Sequence, residues 1–213
     1  MRPVDALPGL FDHLSALFEQ GHARDISGLM TDEQFADEGT MAEAAVLILV
    51  CDRPKPSVIL TKRPTTMRDH PGQVAFPGGK LDPGEDAIAA ALREAEEELA
   101  IPPDAVRVIG PSDRYFTGTG FAITPVVGVA ERKLAIQPNP REVEAWFEAP
   151  LRHLLMREHW TQRSAIWKGQ ERRYLDMHYN GFRIWGVTAA IIANLARRID
   201  VEQLLDDGSR DVA

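Results

Sequence analysis

"LREAEEEL", residues Leu92–Leu99, is the stretch on which the reading of this chain turns. It sets Glu94, Glu96, Glu97 and Glu98 close together among alanines and leucines, residues that favour a helix. Like charges one turn apart repel, at roughly 0.2–0.5 kcal/mol per i,i+4 pair. At about 100° per residue, Glu94, Glu97 and Glu98 share one helix face and Glu96 lies nearly opposite. Ile88, Ala91, Leu92, Ala95 and Leu99 make an apolar stripe beside Glu98, so the acidic face borders the buried one. Helical side chains lean toward the N-terminus, so the carboxylates overhang Ala87, Ala90 and Ala91, which leave room for a positively charged group. A hard divalent cation such as Mg2+ or Mn2+ suits oxygen ligands of this kind. For this helix alone the alternative is a solvated acidic face, with Arg93 pairing to Glu97 at i,i+4.

The preceding residues decide between these readings. The helix is expected from about Asp86 to Ala100, stopping before Pro102 and Pro103. "FPGGKLDPGED" ahead of it supplies paired glycines and a Pro-Gly turn, a loop whose backbone can approach a ligand closely. From Gly79 the chain runs five residues to Glu85, seven more to Arg93 and Glu94, then to Glu97 and Glu98. This spacing resembles the Nudix box, G-x5-E-x7-R-E-U-x-E-E-x-G-U with U apolar, with Ala100 standing where the box has glycine. The resemblance implies an α/β (α+β) fold, a Nudix-like α/β/α sandwich with a mixed β-sheet. It further implies Mg2+ or Mn2+ as cofactor, with Glu94 and Glu98 the first ligand candidates and Glu97 a third. The catalytic set it implies is Glu97, Glu98, Arg93 and Glu85, with Glu85 paired to Arg93 and bracing the loop. An acid at the position of Glu85 also complements the helix dipole. The proton acceptor stays open between Glu97 or Glu98 and a loop acid such as Glu142 or Glu144.

A second stretch bears on the substrate. "LTKRPTTMRDHPGQVAFPGG", Leu60–Gly79, resembles the signature of the coenzyme A pyrophosphatase branch of Nudix, L-L-T-x-R-[SA]-x3-R-x3-G-x3-F-P-G-G. Ile59 fits conservatively, and Leu60, Thr61, Arg63, Arg68, Gly72 and Phe76 to Gly79 fit directly; Pro64 replaces Ser or Ala. "IWGVTAAI" near the C-terminus is also similar to this branch. The resemblance implies hydrolysis of the diphosphate of coenzyme A or a derivative, giving 3′,5′-ADP and 4′-phosphopantetheine. Guanidinium groups bind phosphate oxygens in bidentate fashion, so Arg63 and Arg68 are substrate-binding candidates, with Phe76, Gly78 and Gly79 beside them. Alternatives are a Nudix enzyme for ADP-ribose, NADH or nucleoside triphosphates, and a Nudix-fold binding module without catalysis.

The rest of the chain fits an ordinary soluble domain, 44% apolar and 26% charged over 213 residues, with no internal repeat. A net charge of -8 argues against general affinity for nucleic acid or anionic membrane, and the expected partner is a small nucleotide. The lone Cys51 ends an apolar run and reads as a buried thiol; no apolar run reaches a membrane span, and the expected compartment is the cytoplasm. An amphipathic helix is expected over residues 8–20, with Pro8 in its first turn. Strands are expected in "AEAAVLILVC" and "PSVILTKRP", joined as a hairpin or tight connection, and in "VRVIG", "TPVVGVA" and "EVEAWFEAP". "IWGVTAAIIANLARRI" reads as a buried helix. The division is a 1–42 helical extension, a 43–199 Nudix-like domain and a 200–213 polar tail. Homodimers are common in the family it resembles.

Overall fold

The structure, a computed structural model, describes residues 9–36, 39–130, 134–167, 169–200 and 202–203. In chain order these form α1 (Leu10–His22), β1 (Ala42–Cys51), β2 (Ser57–Lys62), β3 (Val74–Ala75), β4 (Gly78–Lys80), α2 (Ala87–Leu99), β5 (Val106–Pro111) and β6 (Tyr115–Phe116). They continue with β7 (Phe121–Ala130), β8 (Ala145–Pro150), α3 (Leu151–Leu155), β9 (Thr161–Trp167), β10 (Gln170–Tyr179), β11 (Phe182–Trp185) and α4 (Gly186–Arg198).

The main sheet runs β3-β2-β1-β7-β5, with β4 paired to β1, β6 to β7 and β8 to β2. It is mixed because β1 and β7 pair in parallel, Ala42 opposite Phe121 through Cys51 opposite Ala130, while its other pairs are antiparallel. β1 is apolar almost throughout because both its faces are covered. Its odd-numbered Ala45, Leu47, Leu49 and Cys51 pack beneath α2, and its even-numbered Ile48 and Val50 pack beneath α1 and α4. β2 divides likewise, Ile59 to the α2 side and Val58 and Leu60 to the other. Alternation along each strand thus assembles two cores and an α/β/α sandwich.

The expected first helix forms, at Leu10–His22, and Leu14, Leu17 and Phe18 bury its inner face; Pro8 lies outside the described residues. β1 and β2 pair as a hairpin with Cys51 opposite Ser57. Cys51 is fully buried, and burial pushes its thiol up to about 12. The C-terminal helix starts at Gly186, later than expected, because Ile184 and Trp185 still belong to β11. Of the expected tail, residues 201 and 204–213 lie outside the described residues. A three-stranded sheet, β11-β10-β9, was not foreseen. No helix among the described residues is long and apolar enough to cross a membrane.

Candidate active site

The site begins with two tight turns. Glu85 donates its backbone N–H to the Asp82 carbonyl at 3.0 Å, closing a turn with Pro83 second and Gly84 third at φ +83°, the conformation glycine adopts without strain. Asp86 then caps α2, accepting from the Ala89 N–H at 2.8 Å. α2 ends at Ala100, which adopts the left-handed conformation (φ 55°, ψ 35°) and donates to the Glu96 carbonyl at 2.8 Å, while Ile101 donates to the Ala95 carbonyl at 3.4 Å. The helix exit usual for a glycine is therefore kept, by an alanine.

Arg93 ties loop to helix. It donates to both Glu85 oxygens at 3.0 Å, to the Lys80 carbonyl at 3.0 Å, to Glu94 at 3.0 Å and to Glu97 at 3.2 Å. The charge-assisted bonds from Arg93 hold the Glu85 carboxyl below the usual range, helped by the Asp82 amide. Gly78 and Gly79 owe their identity to close packing. A Cβ on Gly78 would lie 2.3 Å from the Ala45 carbonyl oxygen, and one on Gly79 would lie 2.2 Å from Glu94 Oε1. At Gly78 the obstacle is the backbone of β1, which admits no side chain, whereas at Gly79 it is the Glu94 carboxylate, which glycine lets stand where it does.

Glu94, Glu98 and Glu142 each bring one carboxylate oxygen within 4.8 Å of the others. Glu142 comes from a distant loop pinned at both ends: Gln137 and Asn139 donate to the carbonyls of Leu99 and Glu98 at 2.9 and 2.8 Å, and Glu144 donates to the Lys62 carbonyl at 2.8 Å. Glu98 is 5% exposed, and its Oε2 has no hydrogen-bond partner among the described residues. Burial above all, then the charges of Glu94 and Glu142, push the Glu98 carboxyl up to about 8, against smaller opposing effects of Arg63 and the Gly78 backbone. Burial also raises Glu94, against Arg93. Three converging carboxylates, one of them buried with a bare oxygen, form the donor set a hard divalent cation requires.

The other candidates divide. Glu97 stands outside the cluster, its side chain 52% exposed and held by Arg93. Glu144 accepts from Lys62 at 2.5 Å and from the Thr65 N–H at 3.1 Å, which keep its carboxyl below the usual range. Arg63 lies near enough to Glu98 to oppose its raised pKa, and its buried Nε has no partner among the described residues. Arg68 is exposed in the loop between β2 and β3. Phe76 is 3% exposed and packs in the core beneath α1 and α4. The grouping of Glu142 with Glu94 and Glu98 was not foreseen, since no spacing in the chain signals a contact across 44 residues.

An α/β/α sandwich holds a glycine turn and a carboxylate-bearing helix over its mixed sheet, an arrangement suited to a divalent cation and the phosphate oxygens such a cation binds. Residues 41–168 match the NUDIX domain, and the chain belongs to the Nudix family. It is similar to an uncharacterized Nudix hydrolase, NudL, of Cronobacter sakazakii, 46% identical over 158 residues, 74% of this chain and 82% of that protein. The uncharacterized NudL of Escherichia coli K12 is 45% identical over 161 residues, 75% of this chain and 84% of that protein. The crystal structure of a Nudix hydrolase from M. smegmatis, RenU, is 25% identical, with a TM-score of 0.48, covering 60% of this chain and 82% of that one.

Proposed function

We propose that this Nudix chain splits the diphosphate of coenzyme A, or of an acyl or oxidised derivative, into 3′,5′-ADP and 4′-phosphopantetheine or its derivative. The observation that carries the hydrolytic reading is the clustering of the buried Glu98 carboxylate, one of whose oxygens has no partner among the described residues, with Glu94 and Glu142, and with Arg63 near it. Glu94, Glu98 and Glu142 would hold Mg2+ or Mn2+; Glu97 would join them only by releasing Arg93. When bound, such a cation supplies charge to offset the diphosphate and lowers the pKa of water.

The chain's own residues do the remainder. Arg63, whose Nε has no partner among the described residues, binds a diphosphate oxygen, and the exposed Arg68 is the second guanidinium for a phosphate-rich substrate. Arg93 and Glu85 hold the box loop against α2, fixing where Glu94 stands. The proton acceptor belongs among Glu97, Glu98 and Glu142, because Lys62 and the Thr65 amide make Glu144 a weak base. Support for coenzyme A comes from the Leu60–Gly79 signature, which begins beside Arg63 and ends at the glycine against Glu94.

The test is a product panel read by mass spectrometry with Mn2+, offering coenzyme A, acetyl-coenzyme A, ADP-ribose, NADH and nucleoside triphosphates. Phosphopantetheine formed fastest is the expected result. AMP with ribose 5-phosphate formed fastest would overturn the coenzyme A reading and keep the diphosphatase. No turnover of any compound would remove the hydrolase itself.

A further inference from the structure

The layer opposite α2 holds a groove of about 700 Å³ that contains none of the carboxylate site. It lies between the last turns of α4, the β9–β10 hairpin, the segment after α3 and the connector at Gly28 and Met30. Its size is that of a small-molecule site. Its charge is at odds with the chain's: Arg157, Arg173 and Arg197 line it and no Asp or Glu does among the described residues, on a protein of net charge -8.

These guanidinium groups come from three separate elements. Arg197 is held by neutral acceptors, donating to the Gly28 carbonyl at 2.7 Å and to the Ser27 carbonyl at 2.9 Å, so it is fixed in place by groups that carry no charge. Arg157 and Arg173 are exposed at the rim, and the ion pair of Arg173 with Glu171 is a loose one at 4.0 Å. One half-buried aromatic side chain, Trp160, lines the groove with them, its indole N–H donating to the Leu154 carbonyl at 2.9 Å. Tyr174 reaches the groove only as the neighbour of Arg173 in β10, and its ring turns to the opposite face of that sheet, edge-on to Trp185 with centroids 5.8 Å apart. Met30 and Leu155 add apolar lining.

Arginines lining an open groove favour a phosphate over a lone carboxylate, and a pre-positioned indole ring favours a flat aromatic body over a flexible chain. We propose that this groove is a second ligand site and takes a nucleotide, its phosphate among the three arginines and its base against Trp160. Such a site gives the enzyme a place to sense nucleotide away from its diphosphate-directed carboxylates.

Calorimetry tests this on the full chain in EDTA at physiological salt, in an Arg63→Ala background that weakens nucleotide binding on the α2 side. ADP is expected to bind saturably there, and the added pair Arg157→Ala and Arg173→Ala to weaken it about tenfold or more. Both arginines are exposed, so the melting midpoint should stay within about 2 °C. Ribose 5-phosphate, lacking the base, should bind about tenfold more weakly than ADP. No saturation by about 5 mM ADP, or an affinity indifferent to the two arginines, overturns the site. Equal binding of ribose 5-phosphate overturns the nucleotide assignment.

Discussion

The two faces of the main sheet are covered by different kinds of side chain. Beneath α2 the core is Ala90, Ala91, Ala95 and Leu99 on Ala45, Leu47 and Leu49, with no aromatic among its buried members. Beneath α1 and α4 it holds Phe18, Phe76, Tyr115 and Met177. Small side chains let a helix approach a sheet closely. That approach presses Glu94 against Gly79 and sinks Glu98 to 5% exposure. The bulkier face holds its elements together through rings and ion pairs. One face gathers buried carboxylates, and the other carries the larger side chains of the core.

The sharpest way to break that division is Glu98→Gln, which keeps the shape and removes the charge. Turnover should fall about 10³-fold. The metal-free protein should report the same residue through stability. With Glu98 pushed up from 4.5 to about 8, the folded chain holds a proton in that window that the unfolded chain has lost, so stability falls as pH rises through it. Melting in EDTA should therefore drop between pH 5 and pH 8 by several degrees more in the parent than in the variant, at about 2–4 °C per kcal/mol. Parallel pH profiles for the two proteins would show that Glu98 is not a strained, buried acid.

On the opposite face Asp32→Ala should cost stability and spare turnover. Asp32 is 5% exposed and accepts from Tyr115 Oη at 2.6 Å and Arg172 Nε at 3.0 Å, with a second, shorter bond from Arg172. It thereby anchors the β9–β10 hairpin to the connector before β1. Removing it strands a buried hydroxyl and a half-buried cation, at about 3 kcal/mol. Denaturant melts check the loss. A fall in kcat of more than about threefold would mean the hairpin also shapes the carboxylate side.

Gly79→Ala returns to the α2 face with a single methyl. Its Cβ would meet Glu94 Oε1 at 2.2 Å, so the carboxylate must move. Displacing a metal-ligand candidate this way should lower activity and Mn2+ affinity about 10–100-fold. Gly110→Ala is the control from the other face: its Cβ would meet Phe18 at 3.6 Å, an ordinary contact, and activity should hold. Equal losses in both variants would abolish the distinction between the faces.

The same division governs what could be read from the chain. The α2 face is written in local order: Gly79, Glu85, Arg93, Glu94 and Glu98 fall within twenty residues, and apolar runs marked β1, β2, β5, β7, β8 and the buried helix at the C-terminus. Glu142 was legible only as a loop acid, because its place depends on backbone bonds to Leu99, Glu98 and Lys62. β9 and β10 escaped notice because β9 is exposed almost throughout and β10 is rich in charge, so no buried alternation marks them. β3, β4 and β6 are too short for any periodicity to show. The glycines after Phe76 sit against β1 and Glu94 while its own ring turns to the other core, a divergence of neighbours that local order does not mark.

Ala100→Gly is the mildest change and reverses the sign of Gly79→Ala within one motif. Ala100 is exposed and left-handed at φ 55°, where a Cβ crowds the following carbonyl. Glycine relieves that strain but gives the unfolded chain more freedom, so the net gain should be about 0.5–1 kcal/mol, or about 2–4 °C. The helix end is already fixed by the bonds to Glu96 and Ala95, so Glu98 should not move and turnover should stay the same. Stability up with activity unchanged would mean that close packing against the sheet, rather than the helix exit, sets the geometry of the carboxylates. A matching rise in activity would shift that control to the end of α2.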